Sequence, residues 1–78
     1  MHEFSIKTSM GWIILEKYKD VDKSLFVIVY RPNKEDFAWG SYYNEDIGQW
    51  GHGHYDYGTL ASARKDMLEK YPNLKQTY

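Results

Sequence analysis

The sequence predicts a small α+β domain, an antiparallel sheet of four or five strands with one C-terminal helix packed on one face. Three observations predict it. Ser24 to Pro32 is the most strongly strand-like run in the chain, with Leu25, Val27 and Val29 on one face and Phe26, Ile28 and Tyr30 on the other. A strand apolar on both faces belongs in the centre of a sheet. Only one stretch, Thr59 to Tyr71, has an apolar stripe at helical spacing, and the segments between periodic runs are short and rich in turn residues.

Met1 to Thr8 alternates Phe4 and Ile6 with Glu3, Ser5 and Lys7, which reads as a terminal strand with one face in water. Ser9-Met10-Gly11 interrupts it. In Trp12 to Tyr18 the β-branched pair Ile13-Ile14 favours a strand, and Gly11 weakens a short helix starting at Ser9. Lys19 to Lys23 is a charged turn. After the central strand, Pro32 cannot donate to a ladder, and with Asn33 it turns the chain back. The return strand, Phe37 to Tyr43, sets Phe37, Trp39 and Tyr43 on one face and Ala38, Gly40 and Tyr42 on the other, where small residues allow another element to come close.

Asn44 to Gly48 has hairpin-loop chemistry, with Gly48 suited to a positive φ. Gln49 to Tyr57 reads as the last strand, with Trp50, His52, His54 and Asp56 on one face and Gly51, Gly53, Tyr55 and Tyr57 on the other. Its glycines suggest a bulge or an edge. Thr59 is a suitable N-cap for the helix, Leu60, Ala63, Met67, Leu68 and Tyr71 form its stripe, and Pro72 stops it. Residues 73–78 show no pattern and are expected as a loose tail. The core residues expected are Ile14, Phe26, Val27, Ile28, Val29, Leu60, Ala63 and Met67.

The 78 residues read as a single domain, 1–78, in which three Trp, eight Tyr and three Phe must supply the core without disulfides, since there is no cysteine. The absence of cysteine also removes thiolate metal sites and a cysteine nucleophile, and it fits a reducing, cytoplasmic setting. A net charge of −1 creates no field for nucleic acid or anionic membrane. The longest apolar run, Trp12 to Leu15, is far short of the roughly 20 residues of a membrane span.

From the central strand onward, Val27-Ile28-Val29-Tyr30-Arg31-Pro32-Asn33, Trp39, Tyr42-Tyr43, Gly48-x-Trp50-Gly51-x-Gly53, Tyr55 and Leu60-x-x-Ala63-Arg64 resemble short uncharacterised proteins of low-GC Gram-positive bacteria and their phages or mobile elements. The resemblance spans Leu25 to Lys70. It implies no catalytic or binding residue, only that small proteins of this kind often act by binding a host or phage protein.

Four chemistries can be weighed. His52-x-His54-x-Asp56 places three possible metal ligands on one side of a strand, but a site needs a further ligand or open position, and surface histidines on an edge strand are the plainer reading. Ser41, His52 and Asp56 make a triad on paper without a nucleophile turn, and Gly48 to Gly53 lacks the Lys-Ser/Thr and helix of a phosphate loop. No catalytic residue, metal, cofactor or small-molecule substrate is therefore assigned. Phe37, Trp39, Tyr43 and Trp50 could stack single-stranded nucleic acid, but the basic residues are interleaved with acidic ones and form no groove. Protein association remains, as a homo-oligomer or as an adaptor or inhibitor of a host or phage protein, because one helix cannot cover two apolar faces. Its expected contacts are Trp39, Tyr42, Tyr43, Trp50 and Tyr55. Trp39 and Tyr43 are expected to point opposite to Tyr42, so that one set is core and the other interface.

Overall fold

The computed structural model describes Ile6–Lys7 and residues 11–78, so the expected strand residues Phe4 and Thr8 lie outside the described residues. Within them the chain is an antiparallel sheet with one helix. Its strands are β1 (Ile6–Lys7), β2 (Ile13–Lys19), β3 (Leu25–Arg31), β4 (Asp36–Ser41) and β5 (His52–Tyr57), followed by α1 (Leu60–Lys70) and the short β6 (Lys75–Gln76). Strands β1 to β5 stand side by side in chain order, and β6 pairs with β2. The central place of β3 follows from its two apolar faces. Phe26, Val27, Ile28 and Val29 are all buried.

Helix α1 closes one face. Thr59 and Ser62 form a reciprocal capping box, in which the Ser62 N–H donates to the Thr59 hydroxyl at 3.0 Å and the Thr59 N–H donates to the Ser62 hydroxyl at 3.3 Å. At its other end the Tyr71 N–H donates to the Met67 carbonyl before Pro72 stops the helix. Ala63 and Met67 are buried against Phe26, Ile28, Trp39 and Tyr18, with Leu60, Leu68 and Tyr71 partly buried at the margin. Of the expected core, only Leu60 is less than buried.

The opposite face is also closed, and by the sheet's own side chains. Trp12, Ile14, Val27, Val29, Ala38 and Tyr43 form a second buried cluster flanked by Leu25 and Trp50. The Trp50 ring lies on Gly40, where an added Cβ would overlap its Cγ, Cδ1 and Cδ2. The Tyr55 ring lies on Gly53 in the same way, where a Cβ would overlap Oη, Cζ and Cε2. Absent side chains at these two glycines let flat rings rest on the backbone. The uncovered face expected from counting helices is therefore filled.

Three local irregularities move side chains away from simple alternation. A register shift at Leu15 pairs Ile14 with Val29 and Glu16 with Ile28, so Ile14 and Glu16 fall on opposite faces although two residues apart. Tyr42 has φ of 55°, in the left-handed region. It turns the chain so that Tyr42 packs beside Phe26 on the helix side while Tyr43 enters the second cluster. The expected grouping of Tyr43 with Trp39, opposite Tyr42, is thus reversed. The third irregularity pairs Trp39 with His54 but Phe37 with Tyr57, leaving Tyr55 and Asp56 opposite Ala38. Asp56, at φ of 70°, takes up the extra residue.

The expected loose tail is instead an ordered strap. Tyr18 pairs with Gln76 and Lys19 with Lys75, the Thr77 N–H donates to the Lys17 carbonyl at 2.8 Å, and Leu74 is buried in the helix-side core. One apolar anchor and a row of backbone bonds suffice to hold a segment that carries no periodicity.

Candidate functional site

Two polar clamps fix α1 to the sheet. In the first, Glu16 is nearly buried and receives Arg64 Nε at 3.1 Å, Arg64 Nη2 on its other oxygen, and the Tyr18 hydroxyl at 2.6 Å. Burial alone would raise the Glu16 carboxyl, but the hydrogen bonds from Arg64 and Tyr18 outweigh it and hold it below the usual carboxylate range. The Tyr18 phenol is pushed up to about 12, by burial first and then by its bond to Glu16. In the second clamp, Asp66 accepts from the Tyr57 hydroxyl, from Trp39 Nε1 at 3.1 Å and from Lys70 Nζ at 3.0 Å. These donors, Tyr57 foremost, hold its carboxyl at about 2. Every strong donor in both clamps is answered within the chain, which is the signature of a structural network.

The sequence-expected contact residues separate. Trp39 is 1% exposed beneath α1, with the His54 ring stacked on it at 4.0 Å, so it is core. Tyr43 is buried in the second cluster. Tyr42 and Tyr55 are exposed, at 55% and 47%, and Trp50 is half-buried. Ile47, at 55% exposed, joins them at the tip of the β4–β5 loop, a position that residue type alone does not single out because an apolar loop residue carries no periodic signal.

These four side chains belong to one hairpin, with the Asn44 and Gln49 bridge drawing its base together and the Gly48 N–H closing its tip on the Asn44 carbonyl at 2.8 Å. Tyr42 lies on the helix side, edge-on to His52 at 5.7 Å between centroids. On the other side Trp50 donates its Nε1 hydrogen to the Tyr55 hydroxyl at 3.1 Å, and both rings meet Trp12, at 5.9 Å and 5.7 Å. Arg31 lies over Trp12 at 4.3 Å while holding Asp36 through two bonds, at 3.1 and 3.0 Å. The exposed rings are thus braced by neighbours, which lowers the entropy lost on contact with a partner.

The other arrangements do not come together. His52 and His54 point to the helix side, but the bulge carries Asp56 to the Arg31 and Asp36 side, where its N–H donates to the Asp36 carboxylate. Among the described residues no group of three His, Asp or Glu is placed to hold a metal ion. Ser41 is buried opposite His52, and Asp56 is cut off from both by the bulge. The four rings of the nucleic-acid platform divide between the helix-side core, for Phe37 and Trp39, and the second cluster, for Tyr43 and Trp50. A cleft of about 430 Å³ beside the hairpin, lined by Lys23, Leu25, Tyr42, Asn44 and Asp46 among others, is a shallow depression. No helix among the described residues is long and apolar enough to cross a membrane. Comparison of the chain with protein-family models, curated proteins and solved structures returns no match.

Proposed function

We propose that this chain is a non-catalytic protein-association module whose docking element is the β4–β5 hairpin. The observation that carries this reading is the gathering of exposed apolar side chains on it: Tyr42, Ile47 and Tyr55, with Trp50 half-buried beside them. The original reason for expecting association, an uncovered sheet face, no longer applies, because both faces of β3 are filled from within. What supports the reading now is local. Aromatic side chains that are rigid before contact supply most of the energy at protein interfaces. The hairpin offers them on both sides and an isoleucine at its tip, the shape of a wedge that enters a groove.

The test compares the wild-type chain with a triple variant, Tyr42→Ser, Ile47→Ser and Tyr55→Ser, as bait in cells of the source organism and in light scattering of the purified protein. The reading predicts that a partner, or self-association, accompanies the wild type and disappears in the variant while thermal unfolding stays cooperative. Retention that is identical for the two proteins would contradict it, as would a wild type that neither self-associates nor retains any protein.

A further inference from the structure

The outer edge of β2 is covered by two different segments. β1 pairs with it at Ile13 and Ile14, and the C-terminal strap covers it from Lys17 to Lys19. The strap is held mainly by backbone. The Lys17 N–H donates to the Tyr78 carbonyl at 3.2 Å, and the Lys17 carbonyl accepts the N–H groups of Thr77 at 2.8 Å and Tyr78 at 3.3 Å. Its one buried side chain is Leu74, while Lys75, Gln76, Thr77 and Tyr78 are exposed. A segment with a single apolar anchor and backbone bonds near solvent opens before the rest of a domain does.

The strap also fits its seat poorly. Lys19 and Lys75 are direct partners in the ladder, both exposed, and like charges placed opposite each other weaken the pairing. Neither ammonium makes an ion pair among the described residues. Glu45, whose field reaches Lys19, is taken by Lys17 Nζ, and the Asp20 carboxylate accepts the Val21 N–H at 2.7 Å. Beside the strap, toward the β2–β3 turn, a cleft of about 310 Å³ stays open, lined by Lys19, Asp20, Val21, Asn73, Lys75 and Thr77.

We propose that the strap is a displaceable latch, and that the β2 edge beneath it receives an extended segment of another protein in which an aliphatic residue is followed by an acidic one. Running antiparallel to β2, such a segment takes over the backbone bonds that Thr77 and Tyr78 make to Lys17. Its aliphatic residue fills the place of Leu74 in the helix-side core. Alternation then turns the next side chain to the opposite face, where a carboxylate meets Lys19 in place of a second ammonium. The strap of a second copy would bring the same lysine, which is why the occupant is a different protein. The site is separate from the β4–β5 hairpin and stands whether or not that hairpin docks.

The test is an amide NMR titration of the isotope-labelled full chain with two synthetic peptides, one with the sequence of residues 73–78 and one with glutamate in place of its lysine. The hosts are the wild type, Leu74→Ser, which withdraws the anchor, and Lys75→Glu, which gives the strap its own partner for Lys19. The expected result is that the glutamate peptide returns the Lys17 amide of Leu74→Ser toward its wild-type position and binds about fivefold more tightly than the lysine peptide. The wild type should bind it more weakly and Lys75→Glu more weakly still, and added salt should narrow the preference between peptides. Should Leu74→Ser unfold, the latch is read from amide exchange in the other two proteins. There the Lys17 and Thr77 amides must exchange faster than those of β3 in the wild type and must slow in Lys75→Glu. A folded Leu74→Ser chain whose Lys17 amide responds to neither peptide overturns the inference. Equal affinities for the two peptides, or of the wild type and Leu74→Ser for the glutamate peptide, do the same, as do Lys17 and Thr77 amides that exchange only at the rate of β3.

Discussion

Ile28 and Val29 are neighbours in β3, both are 0% exposed, and they are buried by different means. Ile28 faces α1, a helix that brings Ala63 and Met67 and is fastened to the sheet by the Arg64–Glu16 ion pair and by the hydrogen bonds from Tyr57 and Trp39 to Asp66. Val29 lies in a cluster with Trp12, Tyr43 and the partly buried Trp50, rings that come from the sheet's own strands and turns, Trp50 resting on Gly40. The helix side depends on a second layer being held in place. The other side depends on small residues leaving room for flat ones. A sheet this small can close both faces with one helix when Ala38, Gly40 and Gly53 are arranged to accept rings.

The largest difference between the two sides is expected at their tryptophans. Trp39→Ala removes a fully buried ring and a donor to Asp66, and should cost about 3–5 kcal/mol in urea unfolding. Trp50→Ala removes a half-buried ring and should cost about 1–2 kcal/mol. Equal costs would break the distinction between a helix-covered core and a ring-covered face.

Arg64→Leu should cost about 2–3 kcal/mol, because Glu16 is left beneath the helix with Tyr18 as its one strong side-chain donor. The Tyr18 phenol, read from its ultraviolet titration, should change with it. Gly40→Ala tests the ring-covered face with a single carbon. It should cost about 1–3 kcal/mol by displacing Trp50, and shift tryptophan fluorescence to the red, with helix content unchanged.

Acid gives the smallest effect. The Asp66 carboxyl lies below its ordinary 3.8, at about 2, so its stabilisation is complete above the unfolded value and is lost as pH falls through the folded one. With a partly exposed side chain the loss should be about 1 kcal/mol between those two values. Asp66→Asn should flatten this part of the urea midpoint against pH profile.

The sequence made the central strand, the strands on either side of it along the chain and the helix legible because each is written in local periodicity. Ser24 to Pro32 contains β3, Thr59 caps α1, and Trp12 to Tyr18 overlaps all but the last residue of β2. Faces were less legible. Alternation predicts them only while the pleat is unbroken, and it breaks at Leu15, at Tyr42 and at Tyr55–Asp56. Each break moves residues that matter: Tyr43 leaves the contact surface for the core, and Tyr57 joins Trp39 on the helix side. The strap from Leu74 to Tyr78 was illegible because its bonds are made by backbone groups that every residue shares. The glycines were read as room for another element, and the occupants proved to be rings from the same sheet.

That last point is the most direct to measure. A ring lying flat on a glycine shields its α-protons, so proton NMR of the wild type should show the Gly40 and Gly53 α-protons shifted strongly upfield. Trp50→Leu should return Gly40 alone to an ordinary position, and Tyr55→Leu should do the same for Gly53. Gly40 and Gly53 α-protons at ordinary positions in the wild type, insensitive to either substitution, would contradict the account and return the second face to an uncovered surface.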